Sequence, residues 1–219
     1  MERTQWIAAA AVAVVAGGLL LGRYGLPTTS ASAAPDGEVA TDAGAAAGDD
    51  DNVAIGLPDE GDIADVPEPE RLGQAGDLEE LDGWINTDAE SFDAFDGQVR
   101  IVQFWTFSCH NCTATLPYLQ DIYATYQPEG LEIIGVHAPE FEFERDPVAV
   151  EEATVDLGVT WPVALDTEKR NFRSWQPGRR FWPRTFVIDQ EGEIRFNHIG
   201  EGRYDDLEAT VAYLIENGP

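Results

Sequence analysis

The stretch FWTFSCHNCTATLPYL, residues Phe104–Leu119, contains both cysteines of the 219-residue chain, Cys109 and Cys112. It ends an apolar run that is typical of a buried strand and continues into a region with helical spacing of apolar residues. The unpaired amides and the positive dipole end of such a helix stabilise a thiolate at the first cysteine. The second cysteine is then placed to attack a mixed disulfide, so the pattern predicts a working redox pair.

Two structural interpretations of the pair are weaker. A closed zinc site needs four ligands, and the three histidines are too scattered to complete a set: His110, His137 and His198. A disulfide across two intervening residues closes too small a loop to stabilise the fold much. We therefore expect no metal and no cofactor apart from the redox-active Cys109–Cys112 disulfide.

The charge of the chain is strongly acidic and unevenly distributed. The formal net charge is −28, and residues 36–82 carry sixteen acidic side chains against the single basic Arg71. Binding to phosphates requires a basic surface, so this composition argues against nucleic acid as a partner.

The N-terminus has the pattern of an export signal. Arg3 precedes an apolar run at residues 6–21, and Arg23 follows it. Residues 1–27 are therefore expected to be a cleaved signal peptide or a retained N-terminal membrane anchor. Either outcome predicts an extracytoplasmic protein, secreted or anchored to the outer face of the cytoplasmic membrane.

Composition divides the remainder into two parts. Residues 28–80 contain too little apolar mass to form a core and are expected to be an acidic disordered linker. Residues 81–219 are expected to be one α/β domain with a mixed central sheet and helices on both faces. Hydrophobic periodicity predicts, in order, a strand, a helix, a strand, a helix, a short strand at WPVAL, a hairpin of two strands and a closing helix that begins with a capping box at Asp205 and Glu208.

Five motifs together extend over residues 83–216: GWINT, VQFWTFSCHNC, GVHAPEFEFERDP, WPVALD and GEIRFNHIGEGRYDDLE. They resemble the TlpA-type redoxins of the thioredoxin superfamily, in particular the C-terminal domain of DipZ-like proteins. The resemblance implies a thioredoxin-like fold with a strand-helix insertion at about residues 137–166. It also implies a thiol-disulfide oxidoreductase whose substrates are protein disulfides or dithiols, including apocytochrome c during cytochrome c maturation. DipZ-like proteins carry a membrane electron-transfer domain, so we expect a separate membrane electron donor of the CcdA or DipZ type.

The same resemblance assigns two further catalytic residues. Pro183, in FWPRTF, matches the family's cis-proline, which lies across from the cysteines and shapes the peptide-binding groove. Glu140 is near the position of a glutamate that moves protons for the second cysteine in these redoxins. Gln103 stands where thioredoxin has a buried aspartate, and because an amide cannot titrate we expect Glu140 to activate Cys112.

Other residues around the motif are expected to modulate reactivity or bind substrate. Trp182 would restrict access to the sulfurs, and His110 lies on the unusual side of the pair, next to the first cysteine. The remaining members of this group are Trp105, Asn111 and Arg184. Arg184 belongs to a basic stretch, residues 170–184, which we expect either to stabilise the thiolate or to attract an acidic partner.

Three functions are compatible with this site. Reduction of a few exported proteins is favoured over general oxidation, although the direction depends on the reduction potential. A peroxidase of the peroxiredoxin type is the second candidate, because Thr106 and Cys109 fit half of its motif, but Val102 replaces the motif's proline. A Sco-like copper-delivery protein is the third, and it would require three residues between the cysteines instead of two.

Overall fold

The computed structural model describes residues 67–218, and in this range the chain forms a six-stranded sheet. The signal peptide or anchor predicted at residues 1–27 and most of the predicted linker lie outside the described range. None of the helices within that range is long and apolar enough to span a bilayer.

The sheet is mixed, as the sequence predicts. Its strands are β1 (Trp84–Ile85), β2 (Val99–Trp105), β3 (Leu131–His137), β4 (Val163–Leu165), β5 (Arg184–Ile188) and β6 (Ile194–Ile199), in the spatial order β1-β4-β3-β2-β5-β6. The central strands β2, β3 and β4 are parallel, whereas β1, β5 and β6 pair antiparallel with their neighbours. Strands β2 and β3 read as near-continuous apolar runs because both of their faces are covered.

Four α-helices connect or follow the strands: α1 (His110–Tyr126), α2 (Pro147–Asp156), α3 (Arg170–Ser174) and α4 (Tyr204–Glu216). Asp146 caps α2 by accepting a hydrogen bond from the Val148 amide at 3.0 Å, in agreement with the sequence pattern. The capping box expected at α4 is absent, since α4 begins at Tyr204 after Arg203 and has no side-chain cap.

Two apolar clusters lie on opposite faces of the sheet. Helices α1, α2 and α4 cover one face with side chains that include Leu116, Val150 and Val211. The other face is covered by the short helix α3, by a 3-10 turn at Phe92–Phe95 and by residues that precede β1. The prediction of helices on both faces is correct, but the second face has mostly short elements.

The middle of the sheet requires one glycine. Gly135 lies in β3, and a Cβ atom there would come within 2.8 Å of the Trp105 indole nitrogen and 3.2 Å of the Trp161 indole nitrogen. Any larger residue would displace Trp105, which ends β2. Trp105 directly precedes residues 106–112, which contain both cysteines and which we call the cysteine turn.

The predicted linker boundary at residue 80 is wrong. Residues 67–80 pack against the domain: the Leu72 amide donates to the Ile194 carbonyl at 2.8 Å, along the edge of β6, and Leu78 is only 6% exposed in the second apolar cluster. The composition of this segment is acidic and rich in Pro and Gly, which predicts a linker, but contacts of a few residues with the domain order it.

Arg195 fastens the start of this segment to the sheet. Its buried guanidinium pairs with Asp189 at 2.9 Å and with Glu68 at 2.9 Å, and it donates to the Pro69 carbonyl at 2.6 Å. The chain therefore enters the domain along the outer edge of β6.

Candidate active site

The cysteine turn joins β2 to α1. Cys109 is the N-cap residue of α1, and its sulfur accepts a hydrogen bond from the Cys112 amide at 3.4 Å. Cys109 is partly exposed, whereas Cys112 is fully buried, and both are free thiols. The exposed sulfur at the helix N-terminus is thus the one that an external disulfide can reach.

The two thiols lie in very different surroundings. The pKa of Cys112 is strongly raised, first by burial, then by its hydrogen bond with Cys109, and further by the negative charges of Cys109 and Glu144. A backbone hydrogen bond at Thr106 acts in the opposite direction but does not outweigh these causes. Cys112 therefore stays protonated at neutral pH.

The acid next to the cysteines is Glu144, not Glu140. The Glu140 side chain is exposed, and its backbone amide donates to Glu144 Oε2 at 2.6 Å. Glu144 is 0% exposed and lies in a 3-10 turn, Glu142–Arg145, in the loop after β3. The expectation for Glu140 fails because the chain turns back after β3, so that the residue four positions later points inward.

Glu144 connects this loop to the cysteine turn. Its Oε1 accepts hydrogen bonds from the Ser108 hydroxyl at 2.5 Å and the Ser108 amide at 3.3 Å. Its Oε2 accepts from the amides of Glu140 and Phe141, at 2.6 and 2.8 Å. One buried carboxylate therefore holds the residue before Cys109 against a loop about thirty positions further along the chain.

These donors keep the carboxylate charged. Burial alone raises the pKa of Glu144, but hydrogen bonds from Ser108, Thr106 and the two backbone amides together outweigh burial and lower the net pKa. A carboxylate with several donors is a stable anion and a weak base. The arrangement suits positioning of the turn better than removal of a proton from Cys112.

A buried histidine extends this polar group. Thr106 Oγ1 lies 3.2 Å from His137 Nε2, and the Thr106 hydroxyl is one of the groups that lower the pKa of Glu144. Burial lowers the pKa of His137 to about 4, although the charge of Glu144 acts in the opposite direction. His137 is therefore neutral at neutral pH, with its ring stacked on Phe107.

Pro183 lies at the same end of the sheet as the cysteine turn. β5 pairs antiparallel with β2 so that Arg184 lies opposite Phe104, which brings Pro183 level with Trp105 at the start of the cysteine turn. The peptide bond between Trp182 and Pro183 is cis, in agreement with the resemblance.

Trp182 attaches the Pro183 loop to two other elements. Its indole nitrogen donates to the Ala138 carbonyl at 2.9 Å, in the loop after β3. Its ring stacks on Phe172 of α3 with centroids 4.1 Å apart, and the Lys169 ammonium lies 5.8 Å from the ring centroid. The indole is thus a fixed part of the wall beside Pro183.

The remaining predicted residues are placed as follows. His110 and Asn111 are exposed at the start of α1, and Trp105 is buried beneath the turn. Arg184 donates to Asn197 Oδ1 at 3.0 Å, with its guanidinium 5.0 Å from the ring of Phe186. The structure thus gives Arg184 partners within the sheet.

Gln103 is buried, as expected for the position of thioredoxin's aspartate. Its amide donates to the hydroxyls of Thr115, at 3.0 Å, and Thr185, at 3.3 Å. The position therefore links α1 to β5 by neutral hydrogen bonds. Across residues 67–218, no group of three or more His, Cys, Asp or Glu side chains is arranged to hold a metal ion.

Sequence reasoning missed Ser108, Thr106, His137 and Glu144 as one polar group. Two signals were available: the strand ends carrying Thr106 and His137 are adjacent in a parallel sheet, and GVHAPEFEFERDP contains three further acids besides the one selected. Neither signal identifies which acid is buried.

Comparisons with known proteins agree with this architecture. The sequence profile of the AhpC/TSA family matches residues 75–197. Protein DipZ of Mycobacterium tuberculosis is 36% identical over 152 residues, which cover 68% of this chain and 21% of DipZ. This chain therefore matches about a fifth of the length of that relative.

Two further relatives are similar over nearly their whole length. Thiol-disulfide oxidoreductase YkuV of Bacillus subtilis is 24% identical over 149 residues, covering 68% of this chain and 94% of YkuV. The crystal structure of the thioredoxin-like superfamily protein SPOA0173 superposes with a TM-score of 0.60 at 21% identity, covering 67% of this chain and 98% of that one. This likeness establishes the thioredoxin-like fold.

Proposed function

The chain belongs to the AhpC/TSA family, and from this premise we propose that it is an extracytoplasmic thiol-disulfide oxidoreductase that reduces disulfides in other proteins. One observation carries the proposal: an accessible Cys109 at the N-terminus of a long helix, with a buried, protonated Cys112 one turn further along. The name of YkuV, a thiol-disulfide oxidoreductase, supports the same chemistry.

The reaction proceeds by two exchanges. The Cys109 thiolate attacks one sulfur of the substrate disulfide, and the other substrate sulfur leaves as a thiolate that takes up a proton. Cys112 then loses its proton and attacks the Cys109 sulfur, which releases the second substrate thiol. Two electrons have passed to the substrate, and the Cys109–Cys112 disulfide remains to be reduced by a separate dithiol donor.

The order of these steps follows from the surroundings of Cys112. Two of the causes that raise its pKa are contacts with Cys109, one a hydrogen bond and one a charge. In the mixed disulfide the Cys109 sulfur carries no charge, so both causes weaken, while burial and the charge of Glu144 remain. Cys112 thus becomes easier to deprotonate only after Cys109 has reacted.

Within this mechanism Glu144 is a positioning residue. Through Ser108 it fixes the backbone directly before Cys109, and its charge disfavours premature ionisation of Cys112. This role replaces the general base that the sequence suggested at Glu140.

The location and the electron source are parts of the proposal. The export pattern of residues 1–27 supports a site outside the cytoplasm, secreted or held at the outer face of the membrane. There a CxxC pair needs a membrane electron donor, and a protein of the CcdA or DipZ type has the required chemistry.

The deciding experiment is the reduction potential of the Cys109–Cys112 pair, measured by equilibration with glutathione buffers. A potential near the thioredoxin value, about −270 mV, supports the reductase. A potential near that of strong oxidants, about −120 mV, would reverse the direction of electron flow.

A peroxide-consumption assay and a copper-binding assay separate the two alternatives. The Thr106 hydroxyl that fits the peroxidase motif is buried and engaged with His137. We therefore expect peroxide turnover to be negligible beside disulfide reduction, and the reduced protein to bind no stoichiometric copper.

A further inference from the structure

Next to the cysteine turn lies a group of three phenylalanines that the mechanism above does not use. Phe141 is 51% exposed and Phe143 is 57% exposed, and their rings are stacked with centroids 5.7 Å apart and planes 6° from parallel. Phe143 meets Phe107 edge to face at 5.9 Å. We call Phe107, Phe141 and Phe143 the aromatic platform.

The platform begins beside the reactive sulfur. Phe107 lies two residues before Cys109 and packs against the same apolar cluster. The Phe107 ring also stacks on the buried ring of His137, with centroids 5.6 Å apart, and this contact holds Phe107 in place. A polypeptide whose disulfide reaches Cys109 therefore passes close to these rings.

The outer rings are presented by an ordered backbone. Glu144 accepts hydrogen bonds from the Phe141 amide and from Ser108, so the same carboxylate fixes the platform and the turn. The buried Glu144 carboxylate thus fixes the backbone that carries Phe141 and Phe143. The two exposed rings therefore present their apolar surface in one defined arrangement. Such preorganisation lowers the entropic cost of binding, and exposed apolar patches of this kind mark interaction sites.

The charges around the platform indicate what it binds. Glu140 and Glu142 are exposed on either side of Phe141, and Glu140 has no ion-pair partner among residues 67–218. The cation of this loop, Arg145, is already engaged by Glu142, Glu168 and the Thr167 carbonyl. An apolar surface with an acidic border complements an apolar segment that carries positive charge, and it disfavours an anionic lipid surface.

We propose that the aromatic platform binds a segment of the substrate polypeptide that carries an aromatic or large aliphatic side chain together with Lys or Arg, close to the disulfide under attack. This inference rests on the proposed reductase function and names its substrate class. The platform selects among protein disulfides, whereas Cys109 and Cys112 perform the exchange.

The test uses the reduced full-length chain and three disulfide peptides of equal length. The first peptide has Phe and Lys beside its cysteine, the second has Ser in place of Phe, and the third has Glu in place of Lys. The kcat/KM for each peptide is divided by the kcat/KM for a small disulfide, glutathione disulfide. Changes in the reactivity of the cysteines themselves then cancel. We expect the wild-type chain to prefer the first peptide to each of the others by about tenfold, the ratio that 1.4 kcal/mol represents.

The double substitution Phe141→Ser and Phe143→Ser should abolish the preference for Phe through a higher KM. Val155→Ser is the matched control, because Val155 is 75% exposed on α2 and lies outside the platform. Loss of the preference in the Val155 variant as well, or equal use of the three peptides by the wild-type chain, overturns the proposal. So does platform-dependent sedimentation with phosphatidylcholine and phosphatidylglycerol vesicles without any peptide preference.

Failure of the function itself looks different. A wild-type chain that reduces neither glutathione disulfide nor any peptide contradicts the reductase and the substrate class together. A chain that reduces all of them at equal normalised rates contradicts only the platform.

Discussion

The cysteine turn, residues 106–112, and the loop after β3, residues 138–146, meet at one edge of the sheet but are held in different ways. The turn closes on itself: the Cys109 amide donates to the Thr106 carbonyl at 3.3 Å, and the Cys109 sulfur accepts from the Cys112 amide. The loop is held by side chains instead: Glu144 joins it to Ser108, and Arg145 and Trp182 join it to the Thr167 carbonyl and to the segment that precedes β5.

The difference separates chemistry from placement. Local hydrogen bonds place Cys109 at the start of α1 and Cys112 one turn further along, where the first apolar cluster buries it. The loop contributes an exposed aromatic surface, and its Glu144 supplies a fixed negative charge and the hydrogen bonds to Ser108. Substitutions in the two regions should therefore produce different kinds of defect.

The largest effect is expected in the turn. Cys109→Ser removes the nucleophile and should lower disulfide reduction on the order of a thousandfold or more. Cys112→Ser retains the first exchange and should accumulate a mixed disulfide between Cys109 and the substrate, which is visible on non-reducing gels and by mass spectrometry. If the mixed disulfide accumulated in the Cys109→Ser variant instead, Cys112 would be the nucleophile and Cys109 the residue that resolves the mixed disulfide.

The next largest effect is expected for His137, in the pH dependence of the free energy of unfolding. A histidine in the unfolded chain binds its proton near pH 6.5, whereas His137 does so near 4. Between these values the unfolded state binds more protons, so stability is fully present above pH 6.5 and falls as the pH drops to about 4, by up to about 3 kcal/mol. His137→Gln should remove this part of the pH dependence in urea titrations carried out between pH 7 and pH 4.

The comparison is tested most directly by the two glutamates. Glu144→Gln replaces one oxygen acceptor by an NH2 group, which can only donate. The Ser108, Glu140 or Phe141 groups that donated to this oxygen then lose their acceptor. The free energy of unfolding should therefore fall by about 2 kcal/mol. In a Cys109→Ser background the same substitution should lower the pKa of Cys112, since a neighbouring negative charge has gone. Thiolate absorbance in the ultraviolet measures that titration.

Glu140→Gln is the matched control for both measurements, because the Glu140 side chain is exposed and only its backbone contacts Glu144. Stability and the Cys112 titration should both remain at their wild-type values. A larger effect from Glu140 than from Glu144 would restore the assignment made from the sequence.

The smallest effect is expected at the wall beside Pro183. Trp182→Phe deletes the hydrogen bond from the indole to the Ala138 carbonyl and should cost about 1 kcal/mol of stability. Trp175→Phe is the matched control. It deletes a similar hydrogen bond, from the Trp175 indole to the Asp77 carbonyl at 2.9 Å, in the segment that precedes β1. Both variants should lose similar stability, but only the Trp182 variant should change the alkylation rate of Cys109, because Trp182 and Cys109 both pack against the first apolar cluster.

Much of the domain was predictable because its signals are local. Apolar runs identified β2 and β3, and the Asp146–Pro147 pair identified the start of α2. The predictions failed for elements too short to carry a period, β1 and α3. They also failed for residues 67–80, whose order depends on contacts such as Leu78 in the core and Glu68 on Arg195.

The sequence alone determines the reactive pair, since the spacing of Cys109 and Cys112 and their place at the end of a strand need only helix geometry to acquire their roles. The tertiary structure alone decides which acid accompanies them. Glu140, Glu142 and Glu144 have the same chemistry, and only Glu144 meets four donors within 3.3 Å. A buried charge is stable where such donors converge, and their convergence depends on how β2 and β3 bring two distant loops together.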